Sequence, residues 1–283
     1  MMDIKGKTVA ITGATGGIGN PLCYELLNRG ANLILIDRNK NKSLSLKEKL
    51  LKSFKNANII HITADLSDIN SVKTATEKLL SMQIHYFIHN AGAYSIQRYI
   101  TDNGYDNVFH INFVAPYYMI KKLTPNIKKN KGRIIATSSI AHRYSKTDID
   151  DFDFRTRKKA SLVYGNAKRF LTYSLYELFK NEQELLSIVH PGITFTGITN
   201  HYPKLIFSLI KHPMKFIFMP PKKACLATLE GIYNYTPYSY WIGPRLFDIW
   251  GLPKLSKIKT RLNEIKTIFD KAEEIYNEEI GKH

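Results

Sequence analysis

The amino-acid sequence predicts a single-domain α/β fold, a doubly wound parallel sheet with helices on both faces. Three observations carry that expectation. Short apolar runs alternate with longer helical patterns to about residue 242. The short runs are continuously apolar, as strands buried on both faces are. A glycine-rich segment, Thr12-Gly13-Ala14-Thr15-Gly16-Gly17-Ile18-Gly19, stands between the first run and the first helical pattern. Strict β–α alternation implies one sheet with right-handed crossovers, and no linker or repeat divides residues 1–283.

Thr8–Thr12 reads as the first strand, followed by a helix from about Ile18 to Arg29 that Gly30 closes. Leu33–Ile36 is the second strand, and a Lys/Leu-rich helix runs on to about Phe54. Asn58–Ile62 and Ile84–Ile88 are the third and fourth strands, flanking a helix at about Ile69–Met82. A long helix is expected from about Gly104 to Lys129, then a fifth strand at Arg133–Thr137. A helix over about Ser161–Lys180, a sixth strand at Leu185–Val189 and a seventh at Tyr238–Ile242 complete the alternation.

A composition of 44% hydrophobic, 12% aromatic and 23% charged residues is globular and excludes disorder, collagen and a disulfide scaffold. The net charge of +17 favours anions such as nucleotides or acidic membranes. Its basic residues are spread rather than striped, so no nucleic-acid partner is expected. Cys23 and Cys225 lack ligand-like spacing, which predicts a reduced, cytoplasmic protein without a metal. Met1–Lys7 carries no secretory signal. Leu205–Met219 is broken by Lys211, His212, Pro213 and Lys215 and falls short of the ~20 residues of a membrane span.

In its strand–turn–helix context the glycine run can cradle a pyrophosphate. Gly13 takes the turn, the later glycines admit close approach, and free amides at the helix N-terminus face the anion. A Rossmann fold binding NAD or NADP follows. Asp37, 18 residues after Gly19, can accept both ribose hydroxyls and repel a 2′-phosphate, favouring NAD. Arg38 beside it suits the 2′-phosphate of NADP. A polar exit from a strand is the plainer reading of both.

Tyr164 and Lys168 lie four residues apart on one helix face. A nearby ammonium lowers a phenol's pKa, and such a pair can exchange a proton with an alcohol or carbonyl. Alone the pair is no more than a solvated helix face. Ser139 adds context, because it ends the fifth strand at the edge where open α/β sheets bind ligands. Pro116 has no N–H for the carbonyl of Asn112, four residues earlier, leaving that oxygen for a water or side chain, or simply kinking the helix.

Together these residues resemble the short-chain dehydrogenase/reductase superfamily, from about Lys7 to Pro191. The resemblance rests on Thr12–Gly19, Asp65-Leu66, Asn90-Ala91-Gly92, Asn112, Ser139, Tyr164-x-x-x-Lys168 and Pro191-Gly192. Ser139-Ile140-Ala141-His142 and the 25-residue step from Ser139 to Tyr164 look like its retinol-dehydrogenase-like subgroup. The resemblance implies Tyr164 as general acid/base, Ser139 holding the substrate oxygen, and Lys168 holding nicotinamide-ribose hydroxyls while lowering the Tyr164 pKa. It implies that the Asn112 carbonyl holds a relay water. Asp65 with Leu66 would meet the adenine, and Asn90, Ala91 and Gly92 the cofactor ribose region. Thr196, following Pro191 and Gly192, would meet the carboxamide. Thr12, Gly13, Gly17, Ile18 and Gly19 would line the pyrophosphate. That subgroup usually has a small residue where Asp37 stands and prefers NADP.

The activity so implied is hydride transfer between NAD(P) and an alcohol or ketone of lipophilic character. The rivals are a non-catalytic redox sensor and a nucleotide-sugar epimerase. Residues 203–220 are expected to lid the substrate, or to lie peripherally on an acidic membrane. The acidic-then-basic stretch Asp148–Lys159 either gates a substrate or is a solvated excursion. Residues 244–283 form a C-terminal extension whose Leu262, Ile265, Ile268, Phe269, Ala272 and Ile275 make one apolar face packed on the domain. The resemblance also implies a homo-oligomer built through the helices around Asn112 and Tyr164.

Overall fold

A computed structural model describes residues 4–144, 146–194, 219–258, 260 and 262–281. Its strands are β1 (Thr8–Thr12), β2 (Asn32–Asp37), β3 (Ile59–Thr63), β4 (Tyr86–His89), β5 (Arg133–Thr137), β6 (Leu186–Val189), β7 (Tyr240–Leu246) and β8 (Trp250–Lys257). They form one sheet in the order β3-β2-β1-β4-β5-β6-β7-β8. The first seven run parallel, and β8 is antiparallel to β7. Strand order reverses beside β1, so the loops after β1 and β4 open a crevice at the carboxyl edge, where such sheets take ligands.

The central strands are apolar throughout because both faces are covered: Val9, Ala10, Ile11, Phe87, Ile88, Ile134 and Ile135 are all buried. The helices α1 (Gly19–Asn28), α2 (Lys40–Ser53) and α3 (Ile69–Leu80) follow the first three strands. Gly30, at φ +79°, closes the turn after α1. The Asn39 and Asp68 side chains cap α2 and α3, each accepting a backbone N–H at 2.9 Å. Among the described residues the remaining helices are α5 (Ala115–Lys129), α6 (Ala160–Leu178), α7 (Pro221–Tyr233) and α8 (Leu262–Gly281), with a single turn α4 (Asn107–Phe109) ahead of α5.

The helix expected over residues 104–129 is therefore a composite. Gly104 sits at φ +90° and the Asp106 carboxylate caps the amides of Val108 and Phe109, so helix begins only there. His110–Val114 is π-helical, with the Ala115 amide reaching back to the His110 carbonyl. Pro116 cannot donate to Asn112, and the wider turn is how the helix continues past the missing donor. Two further departures lie at the other end. β7 runs through Gly243-Pro244 to Leu246, and β8 was not expected, because Pro253 breaks its pattern; an edge strand tolerates that proline.

The C-terminal helix α8 crosses α5 and α6. It buries Ile265, Ile268, Ala272 and Ile275 in the same cluster as Phe113, Tyr117, Phe170 and Tyr173, while Leu262 stays 71% exposed at its start. A fully buried isoleucine contributes about 1.5–3 kcal/mol relative to exposure. Glu273 adds polar anchorage, accepting from Tyr117 Oη at 2.5 Å and Lys121 Nζ at 2.6 Å. The stretch between Ser139 and α6 is pinned rather than loose. Arg157 pairs with Asp148 at 2.6 Å, Arg155 with Asp153 at 2.9 Å, and Phe154 is buried beside Val108 and Val163.

Candidate active site

The glycine loop leaves β1 with Gly13 at φ +68°, its amide donating to the Ile36 carbonyl at 2.8 Å. A Cβ on Gly13 would stand 3.0 Å from Ala91 Cα, and one on Gly19 only 2.1 Å from the Gly13 carbonyl oxygen. Both positions need glycine for room. Thr12 Oγ1 accepts from the Asn90 and Ala91 amides, and Asn90 Nδ2 donates to the Thr12 and Gly13 carbonyls, all at 3.1 Å. Asn90 thus ties the end of β4 to the loop. Gly16 and Gly17 are exposed at the rim, Ile18 is half-buried, and no side chain caps α1, so the helix N-terminus faces the crevice.

Asp37 is buried at the end of β2. Its Oδ1 accepts from Thr15 N and Oγ1 at 2.9 Å each, and its Oδ2 from Ser43 Oγ at 2.9 Å. A carboxylate offers about four acceptor positions, so as it stands Asp37 can meet one ribose hydroxyl rather than two. Thr15 inside the glycine run was the signal for this tie. Arg38 is exposed, its Nε 4.0 Å from Asp65 Oδ2. Asp65 Oδ1 accepts from Ser67 N and Oγ, and the Leu66 carbonyl faces His110 Nδ1 at 2.7 Å.

Ser139, Tyr164, Lys168 and Asn112 converge at the carboxyl edge of the sheet. Tyr164 is half-buried, with the Ser139 side chain close enough to bear on its phenol. Burial first, and then Tyr94, push its phenol up to about 12 against the opposing pull of the Ser139 side chain. The two tyrosine rings meet edge-on at 5.3 Å. Lys168 is wholly buried, and desolvation pulls its ammonium down to about 7. Its Nζ donates to the Thr137 carbonyl at 2.9 Å and lies 5.8 Å from the Tyr164 ring centre. Burial dominates the Tyr164 phenol here, and the Lys168 ammonium is directed at the strand end.

Asn112 faces the same place through its side chain. Its Nδ2 donates to the Ala93 and Val108 carbonyls at 2.8 Å, and its Oδ1 accepts from Ala93 N at 3.3 Å. Gly92 sits between it and the lysine: a Cβ there would be 2.9 Å from Asn112 Oδ1 and 3.6 Å from Lys168 Nζ. Pro191 and Gly192 leave β6 beside them, Gly192 at φ +80° against the Ile249 carbonyl. Thr196 and residues 203–218 of the expected lid lie outside the described residues. Tyr94 and Thr15 belong to the site and were missed: Tyr94 lies just past the Asn90–Gly92 motif, and Thr15 stands in the glycine run without a role assigned to it.

These residues fit a dinucleotide. The cradle that any Cβ would fill lies at one end, and a buried ammonium with three donors lies at the other. A groove of about 870 Å³ is bordered by Arg143, Arg169, Tyr173 and Glu264, and by none of Ser139, Tyr164 and Lys168. Among the described residues no helix is long and apolar enough to cross a membrane.

A family model described as short chain dehydrogenase matches residues 7–149. Retinol dehydrogenase 12 of Mus musculus is 30% identical over 206 residues, covering 71% of this chain and 65% of its own length, so the chain spans about two thirds of that relative. A short chain dehydrogenase/reductase from Burkholderia phymatum, solved with NAD, superposes with a TM-score of 0.60 at 18% identity, over 82% of this chain and 88% of that one. A short-chain dehydrogenase from Sphingobium yanoikuyae, solved with NADPH, gives 0.57 at 22% identity, over 80% and 84%.

Proposed function

Because the chain belongs to the short chain dehydrogenase family and so is an NAD(P)-dependent oxidoreductase, we propose that it interconverts a lipophilic alcohol and its carbonyl partner. The observation that carries this reading is the convergence of Ser139 and Tyr164 with the buried Lys168 at the ligand edge of the sheet. A bound nicotinamide would supply or accept the hydride. The chain's own residues do the rest. Ser139 orients the substrate oxygen and Tyr164 Oη gives it, or takes from it, a proton. Lys168 holds the nicotinamide-ribose hydroxyls, and the Asn112 carbonyl, left without an α-helical donor by Pro116, holds a water that relays protons toward Lys168.

The amides of Gly17, Ile18 and Gly19 would face the pyrophosphate, with Gly13 shaping the turn and Thr12 bracing the loop. Asp65 and Leu66 flank the adenine. Asn90, Ala91 and Gly92 would line the cofactor ribose, and Pro191 and Gly192 the nicotinamide side. NAD is the cofactor favoured, since the fixed Asp37 carboxylate would stand against a 2′-phosphate; Arg38 is the residue that would reverse it. The lipophilic substrate is supported by the mouse relative's name, retinol being an apolar alcohol. The molecule reads as one domain. A homo-oligomer through the helices around Asn112 and Tyr164 remains part of this reading, with α8 of the same chain packed against α5 and α6 beside that face.

The test is a paired fluorescence titration with NADH and NADPH, followed by turnover of decanal and all-trans-retinal. Tyr164→Phe should keep cofactor affinity and lose turnover by about 10²–10⁴-fold. Binding without turnover of any alcohol or carbonyl would favour a redox sensor, and no binding would end the dehydrogenase reading.

A further inference from the structure

The turn that carries Ser139 is held from α6 on both sides. Lys168 Nζ donates to the Thr137 carbonyl at 2.9 Å before the serine, and Arg169 Nη1 donates to the His142 carbonyl at 2.8 Å after it. Between them the Ser138 and Thr172 hydroxyls lie 2.6 Å apart. Gly165 brings α6 so close that a Cβ would stand 2.4 Å from the Ala141 carbonyl oxygen.

The buried His142 ring then turns back on the serine, Nδ1 lying 2.7 Å from the Ser139 carbonyl oxygen. A carbonyl only accepts, so Nδ1 carries the proton. The ring stands edge-on against Trp241 at 5.2 Å, which fixes its plane. Arg169 is itself clamped from the far end of the chain. Glu264, in the first turn of α8, receives Arg169 Nε at 2.8 Å and Nη2 at 2.5 Å on one oxygen, Oε1. Thr147 Oγ1 donates to that oxygen at 2.8 Å. The Arg169 and Glu264 side chains are only 10% and 18% exposed, so solvent screens the pair little.

We propose that Glu264, Arg169 and His142 form a positioning chain through which the docked C-terminal helix sets the Ser139 turn, and with it the hydroxyl that meets Tyr164. None of the three is a catalytic residue. Arginine suits the place because its rigid fork serves a carboxylate with one edge and a carbonyl with the remaining nitrogen. Residues 140–143 form a single hydrogen-bonded 3₁₀ turn whose His142 amide also donates to Ser139 O at 3.1 Å. A shift at the His142 carbonyl is therefore passed to the serine. The inference rests on the reading of Ser139 and Tyr164 given under the proposed function.

The test uses the full chain, the tighter of NADH and NADPH, and decanal, and compares Arg169→Lys, Glu264→Gln and Glu273→Gln. Glu273→Gln also loosens α8 but lies off the chain to Ser139. The readouts are kcat, KM, cofactor affinity and hydrogen exchange of the His142 ring N–H, assigned by its loss in His142→Gln. Arg169→Lys and Glu264→Gln should lower kcat on the order of tenfold, with KM and cofactor affinity within about twofold. They should also speed exchange of the ring proton, whereas Glu273→Gln lowers the melting temperature and does neither. Unchanged kcat and exchange in the first two variants, or both effects in Glu273→Gln, would overturn the chain. If the wild type leaves decanal untouched, the substrate reading has failed and the exchange comparison alone decides.

Discussion

The Nζ of Lys168 lies 2.9 Å from the Thr137 carbonyl oxygen and 5.8 Å from the centre of the Tyr164 ring. The ammonium thus braces the end of β5, while the phenol stands beside Ser139. Burial holds the Lys168 pKa down to about 7 and the Tyr164 pKa up to about 12, so both groups are kept nearer their neutral forms than they would be in water.

Keeping Lys168 buried costs stability, with a pH signature. Its folded pKa of about 7 lies below its ordinary 10.5, so between those values the unfolded chain holds a proton that the folded one lacks. The apo-protein loses stability from this group as pH falls from about 10.5 to about 7, and no more below that. Lys168→Met should abolish turnover yet raise the melting temperature, by more at pH 7 than at pH 10. Thermal unfolding at the two values checks it, and an equal gain at both would count against a depressed lysine.

Acid should weaken the fold before most carboxylates titrate. His110, His142 and His190 are each pulled down to about 4 by burial from an ordinary 6.5. Unfolding lets each take up a proton, so the stability present above pH 6.5 is lost as pH falls toward about 4. Each contributes a slope of about 1.4 kcal/mol per pH unit within that window. Urea unfolding of the wild type and His142→Gln should differ there by one proton's slope, and parallel curves would refute the assignment for His142.

Gly19→Ala should damage the dinucleotide loop specifically. Its Cβ would fall 2.1 Å from the Gly13 carbonyl oxygen, a backbone atom with nowhere to go. Overpacking of this kind costs about 1–3 kcal/mol. NADH and NADPH titrations should both weaken, and retained affinity for either would mean that the loop shifts without cost.

Asp37→Ala should lower stability and change cofactor preference together. The substitution removes the acceptor of Thr15 N, Thr15 Oγ1 and Ser43 Oγ, and leaving a buried donor unpaired costs about 1–3 kcal/mol. NADPH affinity relative to NADH should rise, with Arg38 left beside the ribose. A ratio unmoved by the change would show that Asp37 serves only the loop.

Much of this molecule was legible in its residue order. Strands such as Thr8–Thr12 and Arg133–Thr137 were placed from their apolar runs, and the glycine run was placed by its neighbours on either side. Local sequence carries such features because backbone preference and burial are decided over a few residues. The composite helix was half legible: Pro116 announced a missing donor, but whether the chain would kink or widen depended on packing. β8 was not legible, since its pairing with β7 was needed to make a strand of a stretch holding Pro253.

Spacing along the chain brought Tyr164 and Lys168 to one helix face, and motif order brought Ser139 and the glycine loop to one sheet edge. It could not say where the lysine ammonium points, that Asp37 is taken up by Thr15 and Ser43, or that Glu264 reaches Arg169 across 95 positions. Those outcomes depend on desolvation and on contacts between segments far apart in sequence. Burial moves a pKa, and a remote carboxylate finds its partner, only once the helices have packed.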